Sequence, residues 1–241
     1  MSSPVHPAPL EWTPERIAAF WDFQSRFPDT YFGHRHGAAL AALLGRLAPR
    51  GAAVLDFGTG PGFLLPHLLR AGFAVTACDI SPASIENAAR IGAGQRGFAG
   101  AFLSTDPAFR AKRFDAVLMT ELVEHVEEPL LGEILAEIRQ LLRRGGQLLV
   151  TTPNEEDLAA EQVFCPCCGS LFHRWQHVRS WSRQSLSDRL VQAGFLPGEA
   201  GITDFALEPP RGGLRVRLAR LRARLDGRRP PHLWALARAP E

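Results

Sequence analysis

The stretch Val54-Leu55-Asp56-Phe57-Gly58-Thr59-Gly60-Pro61-Gly62 decides the fold. Ala52 to Phe57 is apolar apart from Asp56 and has no polar alternation, the texture of a short strand buried on both faces. A glycine-rich turn follows, and Phe63 to Ala71 then carries helical spacing. Glycine permits the tight turn and lets the backbone approach a ligand closely. The spacing is G-x-G-x-G, not the G-x-G-x-x-G of dinucleotide binders, which argues against a nicotinamide oxidoreductase. Asp56 is a poor neighbour for a pyrophosphate and suits a ligand with a positive group, an amine or a sulfonium. Asp79 closes the next apolar run, 23 residues on, where a carboxylate can accept both ribose hydroxyls. The two acids point to a nucleoside ligand without a pyrophosphate; the plain alternative is a tight turn with no ligand.

Working outward, strands and helices alternate. Ala74 to Cys78 reads as a second buried strand. Ser81-Pro82 forms an N-cap and N1 pair that opens a helix through Arg90. Ala99 to Leu103 and Phe114 to Met119 read as further strands. Pro129 to Leu142 is an amphipathic helix with Leu131, Ile134, Leu135, Ile138 and Leu141 on one stripe. Gly145-Gly146 is expected to end it before a strand at Gln147 to Thr151. This rhythm predicts an α/β, doubly wound, mostly parallel sheet. Ser182 to Ala193 is a capped helix, and Gly201 to Leu207 with His232 to Arg238 is expected to close the sheet.

Residues 1–12 read as disordered, and 13–241 as one domain. Within it, 13–48 forms a helical lid, with Thr13 as N-cap, Pro14 at N1, and Ile17, Phe20 and Trp21 at helical spacing. A second lid helix is expected over Gly37 to Leu47. Residues 153–182 break the rhythm with polar, cysteine-bearing sequence. The 241 residues are 46% apolar and 22% charged with a formal net charge of +2, so global charge names no partner. The longest apolar run, Ala38 to Leu44, is too short to span a membrane. The first ten residues lack an apolar signal core, so a cytoplasmic protein is the default expectation.

The turn and its acids resemble the class I S-adenosylmethionine-dependent methyltransferases, from about Ala53 to Val150 and more weakly to Phe195. That likeness implies a Rossmann-like sheet of seven strands. It implies that the region of Asp56 to Gly62 holds the methionine part of the cofactor, Asp79 the ribose, and Asp106 the adenine. The cofactor contacts expected on it are Asp56, Gly58, Thr59, Gly60, Gly62, Asp79, Ile80, Asp106, Thr120 and Glu121. The N-terminal helix with Tyr31-Phe32 is similar to the lid of the quinone-type O-methyltransferase branch. The implied activity is methylation of a small-molecule hydroxyl.

Thr120-Glu121-Leu122-Val123-Glu124-His125 follows the Phe114 to Met119 strand, at the sheet edge where ligands bind. His125 suits proton abstraction at neutral pH, with Glu124 beside it. Two carboxylates and an imidazole could instead hold Mg²⁺ or Mn²⁺ and lower the pKa of a substrate hydroxyl. A third reading has Glu124 and His125 only capping the loop. Glu121, Glu124, His125 and His177 together resemble the four-ligand metal site of RNA 3′-terminal 2′-O-methyltransferases, which makes terminal RNA methylation the alternative function. A non-catalytic cofactor-binding module is the other alternative.

Cys165-Pro166-Cys167-Cys168-Gly169, followed by His173 and His177, spells C-x2-C-x4-H-x3-H, the spacing of a compact zinc knuckle. Cys165, Cys168, His173 and His177 are the expected zinc ligands, and that site competes with the first for His177. Reduced cysteines without metal are the plain reading. Trp175 and Trp181 are candidate pocket walls, with core packing as the alternative. Arg211 to Arg229 holds eight arginines and one acid on a leucine-striped helical pattern. It reads either as a docked surface helix or as a patch for RNA or an anionic membrane surface.

Overall fold

The computed structural model describes residues 6–207 and 229–241; the arginine-rich segment, apart from Arg229, lies outside the described residues. A short strand β1 (Ala8–Pro9) precedes two helices, α1 (Pro14–Gln24) and α2 (Phe32–Leu44). Then come β2 (Ala53–Phe57), α3 (Leu65–Ala71), β3 (Ala74–Asp79), α4 (Pro82–Gly92), β4 (Phe98–Leu103) and a single-turn α5 (Pro107–Arg110). They are followed by β5 (Phe114–Thr120), α6 (Leu130–Leu141) and β6 (Leu142–Pro153). A hairpin of β7 (Gln162–Phe164) and β8 (Ser170–His173) leads to α7 (Arg183–Gln192), β9 (Leu196–Thr203) and β10 (His232–Arg238).

The large sheet has the order β4-β3-β2-β5-β6-β10-β9. Its first five strands are parallel, and β10 runs antiparallel to both β6 and β9. Successive residues of the central strands feed two cores. Val54, Ala116, Leu118 and Leu149 face one side; Leu55, Val117, Met119, Leu148 and Val150 face the other. Burial on both faces is why these strands read as unbroken apolar runs. The stripe of α6 buries Leu131, Leu135, Ile138 and Leu141 on the second side.

The strand order reverses between β2 and β5, because α3 carries the chain from β2 to β3 on one side while β5 returns on the other. The crevice beyond the carboxyl ends of these two strands is where open α/β sheets bind ligands. The Asp56 turn leaves β2 there, and Glu121 to His125 leaves β5 there. Local caps hold the helices that frame it. Ser81 accepts from the Ser84 N–H at α4, and Ser182 makes a reciprocal box with Ser185 at α7. Each such cap contributes about 1 kcal/mol.

Several expectations are corrected. Residues 8–9 are not disordered: β1 pairs in parallel with β8, making a three-stranded sheet β1-β8-β7 with the insertion. The second lid helix starts at Phe32 and ends at Leu44, earlier than expected at both ends. Helix α6 stops at Leu141, and Arg143 to Gly146 forms a bulge inside β6: Phe114 faces Leu142, and the register resumes only at Ala116 and Gln147. β9 begins at Leu196 rather than Gly201, and Phe205–Leu207 is a 3₁₀ turn. β9 is an edge strand with Leu196 and Ile202 exposed, so it lacks the apolar alternation that marks a half-buried strand. Among the described residues, no helix is long and apolar enough to cross a membrane.

Candidate active site

The first part of the site is the turn after β2. Asp56 is buried, and its Oδ2 accepts from the Thr59 hydroxyl at 2.7 Å. Its Oδ1 is buried without a partner. Burial pushes the Asp56 carboxyl up to about 6, with the Thr59 hydrogen bond opposing and the Asp79 charge adding to it. The N–H groups of Gly58 and Thr59 bond to the Cys78 carbonyl at 2.8 and 3.0 Å, tying the turn to β3. Gly60 donates to Asp79 Oδ2 at 2.8 Å, and Ser81 donates to Asp79 Oδ1 at 2.9 Å. Asp79 is thus held rigidly at the end of β3, its carboxyl raised chiefly by burial.

The glycines of this turn differ in purpose. A Cβ on Gly60 would meet nothing nearer than a Tyr31 ring carbon at 3.6 Å, so the backbone there lies open toward the crevice. A Cβ on Gly62 would stand 2.9 Å from the Ala88 Cα, so Gly62 is the point at which α4 comes up against the loop. Ile80, next to Asp79, is 80% exposed, a large apolar surface with nothing on it. Asp106 caps α5, its Oδ1 accepting from the Ala108 N–H at 2.8 Å.

The second part follows β5. Glu121 takes a left-handed conformation with φ 48, and its N–H bonds to the Thr151 carbonyl at 3.0 Å. Thr120, the last residue of β5, pairs with Thr151 of β6. Glu124 is buried; Thr152 donates its hydroxyl to Oε2 at 3.0 Å, while Oε1 has no hydrogen-bond partner. Burial pushes Glu121 up to about 8 and Glu124 well above the ordinary carboxylate value, and the charge of Glu121 adds to the shift of Glu124. His125 Nε2 lies 3.9 Å from Glu124 Oε1, and its Nδ1 lies 3.3 Å from the Gln176 carbonyl. Burial, reinforced by His177, pushes His125 down to about 3. At neutral pH it is therefore an uncharged imidazole with a lone pair to give.

The lid and the insertion cover this corner. Trp21 of α1 meets the His125 ring edge-on at 5.0 Å and donates its indole N–H to Gln176 Oε1 at 3.2 Å. Tyr31 packs against Phe63 at 5.2 Å and lies beside Gly60. Its phenol is pushed up to about 12 by burial, with Asp79 and Asp22 adding. Sequence reasoning did not single out Gln176, a buried residue with φ 61. No periodicity marks such a loop position, and the left-handed backbone there is imposed by its tertiary contacts.

The zinc knuckle expected of Cys165, Cys168, His173 and His177 does not assemble. Cys165 and Cys168 sit at the hairpin tip, where the Cys165 N–H bonds to the Ser170 carbonyl and Gly169 turns left-handed at φ 77. β8 then runs extended from Ser170 to His173, carrying the imidazole roughly 10 Å along the strand. Among the described residues, metal-type donors gather instead as Glu124, His125 and His177, and as Glu156, His173 and His177, each set within 4.8 Å. Three of the four groups in the competing set, Glu121, Glu124, His125 and His177, therefore do meet. Trp181 belongs to the core, with Arg179 over its ring at 5.5 Å.

A doubly wound sheet carrying an acid-flanked glycine turn at its reversal point, with a second acid at the end of the next strand, defines a nucleoside-binding enzyme fold. Residues 31–196 match the family described as "Methyltransferase domain". The ubiquinone biosynthesis O-methyltransferase of Cereibacter sphaeroides is 33% identical over 202 residues, covering 80% of this chain and 72% of that protein. The protein of the same name from Caulobacter vibrioides is 40% identical over 123 residues, covering 50% of this chain and only 46% of the relative's length. A Burkholderia thailandensis 1,6-didemethyltoxoflavin-N1-methyltransferase structure superposes with a TM-score of 0.60 at 24% identity, over 98% of this chain and 94% of that one; this likeness shows the fold alone. The chain belongs to the class I S-adenosylmethionine-dependent methyltransferases, with distant homology to the ubiquinone biosynthesis O-methyltransferases.

Proposed function

We propose that the protein transfers a methyl group to a hydroxyl oxygen of a small molecule. The observation that carries this is the buried corner of Glu124 and His125 beside the Asp56 turn, roofed by Trp21. The relatives named as O-methyltransferases support the oxygen acceptor.

The residues fit S-adenosylmethionine. Asp56 Oδ1 is a buried acceptor without a donor, Gly60 leaves its backbone open, and Ile80 offers an uncovered apolar face next to Asp79. Asp56 and Gly58 to Gly62 would hold the methionine part, Asp79 the ribose, and Ile80 and Asp106 the base, with Thr120 and Glu121 closing the floor. When bound, the cofactor supplies an electrophilic methyl on a sulfonium. The protein's main contribution is to place the acceptor oxygen in line with that methyl, held in the site by Trp21, Tyr31 and the Glu124–His125 corner.

Without a cation, His125 Nε2 would receive the acceptor's proton; with one, that nitrogen would be a ligand and the proton would pass to water. With its pKa held near 3, the imidazole alone is a weak base. That depressed value, with three donors within 4.8 Å, favours assistance by a divalent cation. Glu124, His125 and His177 would hold Mg²⁺ or Mn²⁺, which would lower the pKa of the acceptor hydroxyl. The test is His125→Ala. It should leave S-adenosylhomocysteine affinity unchanged and reduce turnover about 10²–10⁴-fold on the best of a panel of phenolic and aliphatic alcohols. Single-stranded RNA belongs in the same panel, and methylation of RNA alone would overturn the small-molecule reading.

A further inference from the structure

Two sets of metal-type donors share His177, and only one of them can use it. The hydrogen bonds around the rings decide which. His173 Nδ1 accepts the backbone N–H of Trp175 at 3.3 Å and of His177 at 3.2 Å. A ring nitrogen that accepts carries no proton, so in the neutral ring the proton sits on Nε2. That nitrogen lies 3.5 Å from Glu156 Oε1, too far for a hydrogen bond. The other oxygen of the same carboxylate, Oε2, lies 2.5 Å from His177 Nδ1. A carboxylate oxygen accepts, so the proton of the neutral His177 ring sits on Nδ1 and Nε2 is bare. Both nitrogens facing Glu156 therefore carry protons, and the Glu156–His173–His177 group has no imidazole lone pair for a cation.

The other set is the converse. His125 Nδ1 faces the Gln176 carbonyl at 3.3 Å, so it is the protonated nitrogen and Nε2 is bare. Glu124 Oε1 is buried without a hydrogen-bond partner. Two bare imidazole nitrogens and an unpartnered carboxylate oxygen make a donor set. In each imidazole the far N–H is bonded to an oxygen, the arrangement that orients histidines which ligate metals. His173 stacks on His177 at 4.5 Å with 22° between the rings, which hinders rotation of the ring away from this pose.

We propose that Glu156 is a positioning residue that fixes His177 as its Nδ1–H tautomer, so that Nε2 completes a divalent-cation site with Glu124 and His125. The proposal rests on the cation-assisted form of the function above. His173 acts only as a stacking partner for His177.

The test uses the whole 241-residue chain and two readouts besides activity. The first is the tautomer of His177 in metal-free protein, read from long-range ¹H–¹⁵N correlations. The second is Mn²⁺ affinity by calorimetry, with S-adenosylhomocysteine binding as the check that each variant is folded. Wild type should show the Nδ1–H tautomer. Glu156→Ala should lose it and weaken Mn²⁺ binding about 10–100-fold. Glu156→Gln, whose amide oxygen can still accept from one ring, should keep the tautomer and lose less. His173→Phe should keep Mn²⁺ affinity within about threefold. An unchanged tautomer in Glu156→Ala overturns the role of Glu156. An equal loss of Mn²⁺ in His173→Phe and Glu156→Ala would instead put the cation between Glu156, His173 and His177. If wild type binds no Mn²⁺, the cation reading fails, while the tautomer result still decides whether Glu156 orients His177.

Discussion

Replacing Gly62 by alanine tests whether the turn after β2 is shaped by close packing as well as by ligand access. Two costs are separable. The residue sits at φ 81, a left-handed conformation that costs a residue with a Cβ roughly 1–2 kcal/mol. The new Cβ would also lie 2.9 Å from Ala88 Cα and 3.0 Å from Ala88 Cβ, contacts with backbone that cannot be relieved by a side-chain rotation. Overpacking of this kind adds about 1–3 kcal/mol. Gly94 supplies the control: its φ is 71, and a Cβ there would meet nothing within 4 Å. Gly94→Ala pays only the first cost. The difference between the two variants should therefore be about 1–3 kcal/mol, or roughly 2–12 °C in melting temperature for a domain of this size. Urea denaturation of both variants measures it, with thermal melts alongside. Gly62→Ala should also weaken S-adenosylhomocysteine binding, because α4 can retreat only by shifting the loop that carries Gly60. Equal stability of the two variants would refute the close approach of α4 as the reason for glycine at this position.

Asp79→Ala should abolish measurable S-adenosylhomocysteine binding by calorimetry, since it removes the acid that anchors both the Gly60 and the Ser81 amides; retained micromolar affinity would sink the cofactor assignment. A carboxyl whose folded pKa lies above its unfolded value stabilises the fold only while protonated. Glu121, at about 8 against an ordinary 4.5, should therefore cost stability as pH rises across that interval, in chelator-treated protein. Urea midpoints from pH 5 to 8 should fall, and Glu121→Gln should flatten the slope; an identical slope in the variant would count against it. The Cys165→Ser/Cys168→Ser double variant should keep wild-type Mn²⁺ affinity and should not change zinc content by elemental analysis. A lost zinc would reinstate the knuckle.

The parts that sequence made legible are those where a local pattern and a tertiary role coincide. β2, β3 and β5 are sandwiched between two cores, so their apolar runs survive averaging over both faces. Ser81 and Ser182 cap helices through bonds to residues three positions on, a purely local event. Glu124 and His125 come together because they are adjacent in a turn. The edge strand β9 had no such marker, and the bulge at Arg143 to Gly146 depends on register against β5. The zinc spacing misled because four residues between Cys168 and His173 form a short loop only if the chain turns back. Here Ser170 to Phe172 lie in a strand, and the histidines end beside Glu156 instead. Glu156 and Gln176 lay in loops whose geometry is decided by partners distant in sequence, and nothing in residue type or spacing flagged them.

The attachment of β1 to β8 has a consequence for how the site admits its acceptor. Two backbone bonds, from the amides of Ala8 and Leu10, and the edge contact of Trp12 with Phe172 join the start of the chain to the hairpin. Trp21 is bonded to Gln176 just beyond that hairpin. Helix α1 and the insertion thus behave as one roof clasped at both ends of the helix. A clasp of two such bonds, each contributing about 1 kcal/mol net, is far weaker than the sheet beneath it. The seam between α1 and the hairpin is therefore where the roof would part, letting α1 swing away while the insertion stays bonded to the Glu124 carbonyl through the Val178 N–H.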